Sequence, residues 1–151
     1  MNLIIVFHIV FVLVAFAFTT GIGIFLSALA GSRDVRTIRI AAKTAQPLQM
    51  AGAILLVVGS IVGLVAAWRI GFNLTSPWLV GAYVLVALVL AIGLGIHRPW
   101  LLRVAKAAAA SPDDQASAEL NGMIDDRLVR IAGPVSGLVW VAIVVLMVFK
   151  P

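Results

Sequence analysis

The chain has 151 residues, of which 63% are hydrophobic and 11% charged, leaving too little polar surface to cover a water-soluble fold. A formal net charge of +5 would suit a nucleic-acid partner, but the basic residues fall where membrane topology puts them, so no nucleic acid is expected. Without cysteine there is no disulfide, thiolate metal site or iron–sulfur cluster.

Four apolar runs fill the sequence, at residues 3–30, 48–68, 77–97 and 131–149. Each is about 20 residues or longer, enough at ~1.5 Å per residue to cross a ~30 Å hydrocarbon layer. They predict an all-α fold, a four-transmembrane-helix bundle with cytoplasmic helical extensions, forming a single integral membrane domain over 1–151. The first run has no Lys or Arg before it and exceeds the ~7 to 15 residues of a signal core, so it is expected to be a retained helix. Ala28-Leu29-Ala30 nevertheless resembles a small-residue cleavage site.

Between the first two runs, Ser32 is the expected N-cap of a helix over 33–46. Val35, Ile38 and Ala42 fall on one stripe and Arg36, Arg39 and Lys43 on another, the spacing of an amphipathic interfacial helix that continues past Pro47 into the second span. The next connection, 69–76, is short and polar. Its Asn73-Leu74-Thr75 triplet matches a glycosylation acceptor but lies too near both membrane ends to be counted. Helix three is expected to overrun the membrane through 101–110 and to stop at Ser111-Pro112-Asp113-Asp114. Glu119, Asp125, Asp126, Arg127 and Arg130 then read as a solvated face before the fourth span.

Arg33, Arg36, Arg39, Lys43, Arg98, Arg103, Lys106, Arg127 and Arg130 lie in two connections, against Arg69 and Lys150 on the opposite side. Nine basic residues against two predicts that these connections are cytoplasmic and both termini outside. Small residues recur at four-residue spacing in Gly23/Ser27/Gly31, Gly59/Gly63, Ala91/Gly95 and Gly133/Gly137. This pattern lets helices approach closely within lipid; any such face left outward would serve a homo-oligomer.

Intramembrane chemistry is sparse: His8, Tyr83, Thr19, Thr20, Ser60, Met147 and Gln49. An ionisable group in a span is a functional candidate by default, and neutral imidazole ligates haem iron or copper. His8 is therefore the candidate metal or cofactor ligand, with Met147 and Tyr83 near its depth as candidate companions. The plainer reading, preferred for a lone histidine, is a neutral ring bonded to a backbone carbonyl or a headgroup, with Met147 a packing residue and Tyr83 a belt residue or helix-helix hydrogen bond. His97 lies about 20 Å or more from His8 along the membrane normal, so one haem cannot take both, and His97 reads as an interfacial residue.

The segment Phe7-His8-Ile9-Val10-Phe11 with Gly21 and Gly23, the stretch from Trp78 to His97-Arg98-Pro99, and the ending Met147-Val148-Phe149-Lys150-Pro151 resemble a bacterial family of predicted four-helix integral membrane proteins. That family is similar in turn to HemJ-type protoporphyrinogen oxidases and the membrane domain of CopD-type copper-resistance proteins. The resemblance implies His8 as a ligand of haem b and Lys150-Pro151 as a shared terminal signature. Ala15-Phe16, Leu26-Ser27 and Val80-Gly81-Ala82 depart from the HemJ pattern, which has a Trp, a Pro-Arg and a His-x-Lys element. The expected function is a small non-enzymatic membrane bundle or subunit, with a haem-binding redox protein as the alternative.

Overall fold

The structure, a computed structural model, describes residues 3–112 and 115–150. Helix α1 covers Leu3–Ala30, α2 Val35–Ile70 and α3 Pro77–Ala110; α4 covers Ala118–Ile124 and α5 Arg127–Phe149. Among the described residues there is no strand, and four stretches are long and apolar enough to cross a membrane. Successive spans are antiparallel neighbours. α1 lies along α2, the later half of α3 along α2, and the earlier half of α3 along α5, giving an up-down-up-down bundle. Its outer surface carries Leu13, Phe25, Ile61, Val84 and Leu138, all exposed and apolar, as lipid contact requires.

The tightest seam joins α1 to α2. A Cβ placed on Gly52 would come within 2.8 Å of Phe18 Cβ, one on Gly59 within 3.0 Å of Phe11 Cβ, and one on Gly63 within 2.5 Å of the His8 ring. Glycine at these three positions lets α1 rest on the α2 backbone, where dispersion gains replace the hydrophobic drive that lipid removes. Of the small-residue pairs in the sequence, Gly59/Gly63 forms this seam. Gly95, Gly133 and Gly137 do not: a side chain added at any of them would meet nothing within 4 Å, so that face of α5 is not covered by the bundle.

At about 54 Å by the helical rise, α2 is far longer than a hydrocarbon layer is thick, and α3 is similar. Their basic ends extend together. Val35, Ile38 and Ala42 are buried as their stripe predicted, but against Trp100, Leu101, Val104 and Leu120, which makes this segment a packed helix and not one lying flat at the interface. Its cap also differs from expectation. The Ser32 hydroxyl donates to the Leu29 carbonyl and closes α1, while Asp34 is the N-cap, accepting from the amides of Arg36 and Thr37. The Thr37 hydroxyl and these amides hold the Asp34 carboxyl below its ordinary value.

Pro47 sits inside α2 without ending it. The fourth span starts earlier than the apolar run suggests, because Asp126 caps α5 by accepting from the Leu128 amide. Asp125 takes Arg33 at 3.0 Å and Arg130 at 3.4 Å on the surface, so the solvated face is partly knitted. The stop at Ser111 agrees with expectation, although Asp113 and Asp114 lie outside the described residues. At the opposite end, Asn73 Oδ1 accepts from the amide and hydroxyl of Thr75. Lys150 Nζ lies 4.9 Å from the Phe72 ring centroid.

The α1–α2 seam makes a specific prediction. Gly63→Ala should lower stability by about 1–3 kcal/mol through overpacking of the His8 ring. His8→Ala in the same chain should recover part of that loss, so the two changes would be non-additive in thermal unfolding; strict additivity would show that the ring does not occupy the Gly63 groove.

Candidate functional site

Two turns in the bundle are π-helical: Ala17–Gly21 in α1 and Gly93–His97 in α3. Each inserts a five-residue step into an inward face otherwise spaced by three or four. In α1 the buried series runs through Ala15 to Thr20, then Gly23 and Leu26; in α3 it passes from Ile92 to the half-buried His97, then Trp100 and Leu101. An ideal helix would rotate each downstream segment about 140° away from the face above it after five residues. The wide turn absorbs that rotation. At both places the residue brought inward is polar.

Between these turns is a cavity of about 80 Å³. Gln46, Gln49 and Met50 of α2 line one wall, His97 and Arg98 of α3 another, and Thr19, Thr20 and Ser136 lie deeper in the bundle. Apolar Ala53, Leu56, Val89 and Leu90 complete its floor. Gln49 and Arg98 lie at the junction between the apolar runs and the basic extensions, and Leu56 lies about 10 Å further in by the helical rise. The cavity is thus a slot reaching from headgroup level into the bundle.

Polar groups at the deep end are satisfied. Thr20 and Ser136 share a buried hydrogen bond of 3.0 Å between α1 and α5, and the Thr19 hydroxyl donates to the Ala15 carbonyl at 2.7 Å. The shallow end differs. Gln49 Oε1 is buried without a hydrogen-bond partner. Arg98 is half-buried and donates to Met50 Sδ at 3.3 Å, a weak acceptor for a guanidinium. Among the described residues no carboxylate pairs with it. His97 faces Gly23, whose hypothetical Cβ would lie 3.9 Å from its Nδ1.

The residues expected to form a cofactor site lie elsewhere. His8 Nδ1 is 2.7 Å from the Gly59 carbonyl oxygen, with its ring in the groove at Gly63. Met147 packs beside Ala67, Trp78 and Leu79, and Tyr83 is 41% exposed on α3. Among the described residues no hydrogen bond joins these three, and no group of three or more His, Cys, Asp or Glu could hold a metal ion. His97 faces Gly23, fifteen positions from His8 on α1, which corresponds to about 22 Å. The two histidines therefore serve different parts of the bundle.

The sequence places His97 at the interface but does not show that it turns into the slot, nor that Gln46, Arg98 and Ser136 line it. A signal existed for part of this: Gln46, Gln49, Met50 and Ala53 share one face of α2 at helical spacing. Nothing comparable marks the π turns.

The chain belongs to a family of predicted integral membrane proteins, DUF2269, whose model matches residues 2–151. It is thus a multi-pass integral membrane protein whose immediate partner is the lipid bilayer. No curated protein and no solved structure matches the chain.

The unpartnered acceptor has a measurable consequence. Gln49→Leu, close in volume and without the orphan oxygen, should raise the unfolding temperature of protein purified in lipid-free detergent, relieving about 1–3 kcal/mol of uncompensated desolvation. A fall in stability would mean that Gln49 is already satisfied.

Proposed function

We propose that this member of the family is a non-enzymatic membrane bundle whose working part is the slot, a binding site for a small polar group at its basic end. The observation that carries the reading is Gln49 Oε1, buried and unpartnered in the cavity that also holds Arg98. Within a bilayer a polar group left unmet by protein finds little water to satisfy it. A bound group would supply the missing partner. The lining supports binding over catalysis, since its hydroxyls are bonded to each other or to their own helix and it contains neither carboxylate nor thiol.

Because the chain has no cysteine, single-cysteine variants report on the slot without background. Gln49→Cys is expected to react with a small anionic methanethiosulfonate reagent far faster than Leu138→Cys, which lies on the outer face of α5. Equal rates would mean a dry slot and would end the binding reading.

The other reading makes His8 an axial ligand of haem, with Met147 or Tyr83 alongside, as the HemJ and CopD resemblance implies. The bond from His8 to Gly59 and its packing on Gly63 support a role in the helix seam instead. Protein purified after expression with ample haem is expected to be colourless. A Soret band that His8→Ala removes would restore the redox reading.

The charge distribution supports a topology with the basic end in the cytoplasm and both termini outside. An impermeant maleimide applied to intact cells is expected to label Thr75→Cys and to spare Gln115→Cys; the reverse pattern would invert the protein.

A further inference from the structure

We infer that the group held in the slot is the headgroup of an anionic phospholipid that also carries hydroxyls, a phosphoglycerol. The inference rests on the binding reading above and deepens it.

Arg98 sets the charge of the ligand. Arg98 is half-buried and its side chain donates to the Met50 thioether, so it presents donors in a fork suited to phosphate oxygens. A cationic ligand would be repelled. Gln49 sets a second requirement, because its buried oxygen needs a hydrogen-bond donor. A bare phosphate is chiefly an acceptor and answers only Arg98. A phosphodiester bearing hydroxyls answers both residues at once.

Size and position narrow the class further. At about 80 Å³ the slot is about half the ~150 Å³ cavity that accommodates benzene, so it encloses only one end of a headgroup or a few waters, and the rest of the headgroup stays at its mouth. Gln49 and Arg98 stand where the apolar runs meet the basic extensions, the level at which phosphates lie. Leu94 and Leu102, which also line the slot, are each 46% exposed on the outside of the bundle. A lipid can therefore leave its acyl chains in the bilayer and turn only its headgroup inward. Phosphate chemistry is shared by lipid headgroups and free anions, and the experiment separates the two.

Protein purified in lipid-free detergent is titrated with phosphatidylglycerol, phosphatidic acid, phosphatidylcholine or inorganic phosphate while its unfolding temperature is followed. Phosphatidylglycerol is expected to stabilise the wild type at lower concentration than phosphatidic acid, while phosphatidylcholine and inorganic phosphate leave it unchanged. Arg98→Gln should raise the half-saturating concentration of phosphatidylglycerol by about tenfold or more, the loss expected for one charge-assisted contact. Gln49→Leu should abolish the preference for phosphatidylglycerol over phosphatidic acid while keeping the response to both. Arg103→Gln, an exposed charge outside the slot, should leave that preference intact.

Equal responses of the wild type to the two anionic lipids would overturn the hydroxyl requirement. A full response to inorganic phosphate would overturn the lipid source. An unchanged half-saturating concentration in Arg98→Gln would move the lipid away from the slot. If these fail while Gln49→Cys still reacts rapidly, the slot binds a different polar group; if Gln49→Cys is also inert, the binding reading itself falls.

Discussion

The distance between α1 and α2 is set by three absent side chains, at Gly52, Gly59 and Gly63, and the rest of the bundle depends on that distance. In water, burying apolar surface would drive the helices together; against lipid tails that drive disappears, and close contact between backbones takes its place. The approach is tight enough that the His8 ring lies in the space a Gly63 Cβ would fill. With α1 fixed this close to α2, its inner half also reaches α5, where Thr20 bonds Ser136 and Phe16 meets Trp140 edge to face with ring centroids 5.3 Å apart. One seam thereby closes a ring of helices that otherwise contact chiefly their chain neighbours.

The long helices raise a problem of phase that the π turns solve. A helix of 3.6 residues per turn with strictly regular packing positions stays in register with one partner, but α1 and α3 each face different neighbours at their two ends. The upper part of α1 packs into the cluster of Ala15, Leu56, Val89 and Ile143, and its lower part joins Leu26 and Ala30 to Trp100 and Val104. The two clusters meet at the level of the wide turns. Packing is least regular there, and the slot lies between them.

This explains which features could be read from the amino-acid sequence. The four spans were legible because hydrocarbon thickness imposes a length and composition that few other contexts reproduce. Gly59 and Gly63 were legible because their spacing is one helical turn, whereas Gly52 stands two turns from Gly59 with Leu56 between them and gives no such signal. The basic extensions showed their buried stripe, but not that the stripe would meet a protein core instead of headgroups, since the same amphipathic spacing serves both. Ser32 and Asp34 are equally plausible caps by residue type; the bond from Ser32 back to Leu29 decided between them. His97 and Arg98 look like ordinary headgroup-level polar residues in the sequence because nothing there marks the wide turn at Gly93–His97 that carries them inward. The Gly133 and Gly137 spacing showed a surface capable of close packing, not one that this chain uses on itself.

Elsewhere in the spans, polar side chains are quiet. Ser27, Ser60 and Thr19 each donate to a carbonyl four residues back in their own helix, a local arrangement that spends no tertiary structure. His8 is engaged by Gly59, and Thr20 by Ser136. Against that background two orphans stand out, and their surroundings differ. Trp140 Nε1 belongs to a cluster whose other members are apolar and does not line the slot. Gln49 Oε1 shares its cavity with a cation, an imidazole and a second amide. A fold that satisfies most of these polar groups within one helix or by a single bond between helices, yet leaves Gln49 Oε1 unmet in a cavity lined by other polar groups, keeps a local destabilisation that apolar substitution would remove. Stability alone would favour leucine at position 49, whereas an occupant of the kind proposed above would supply the donor that the Gln49 oxygen lacks.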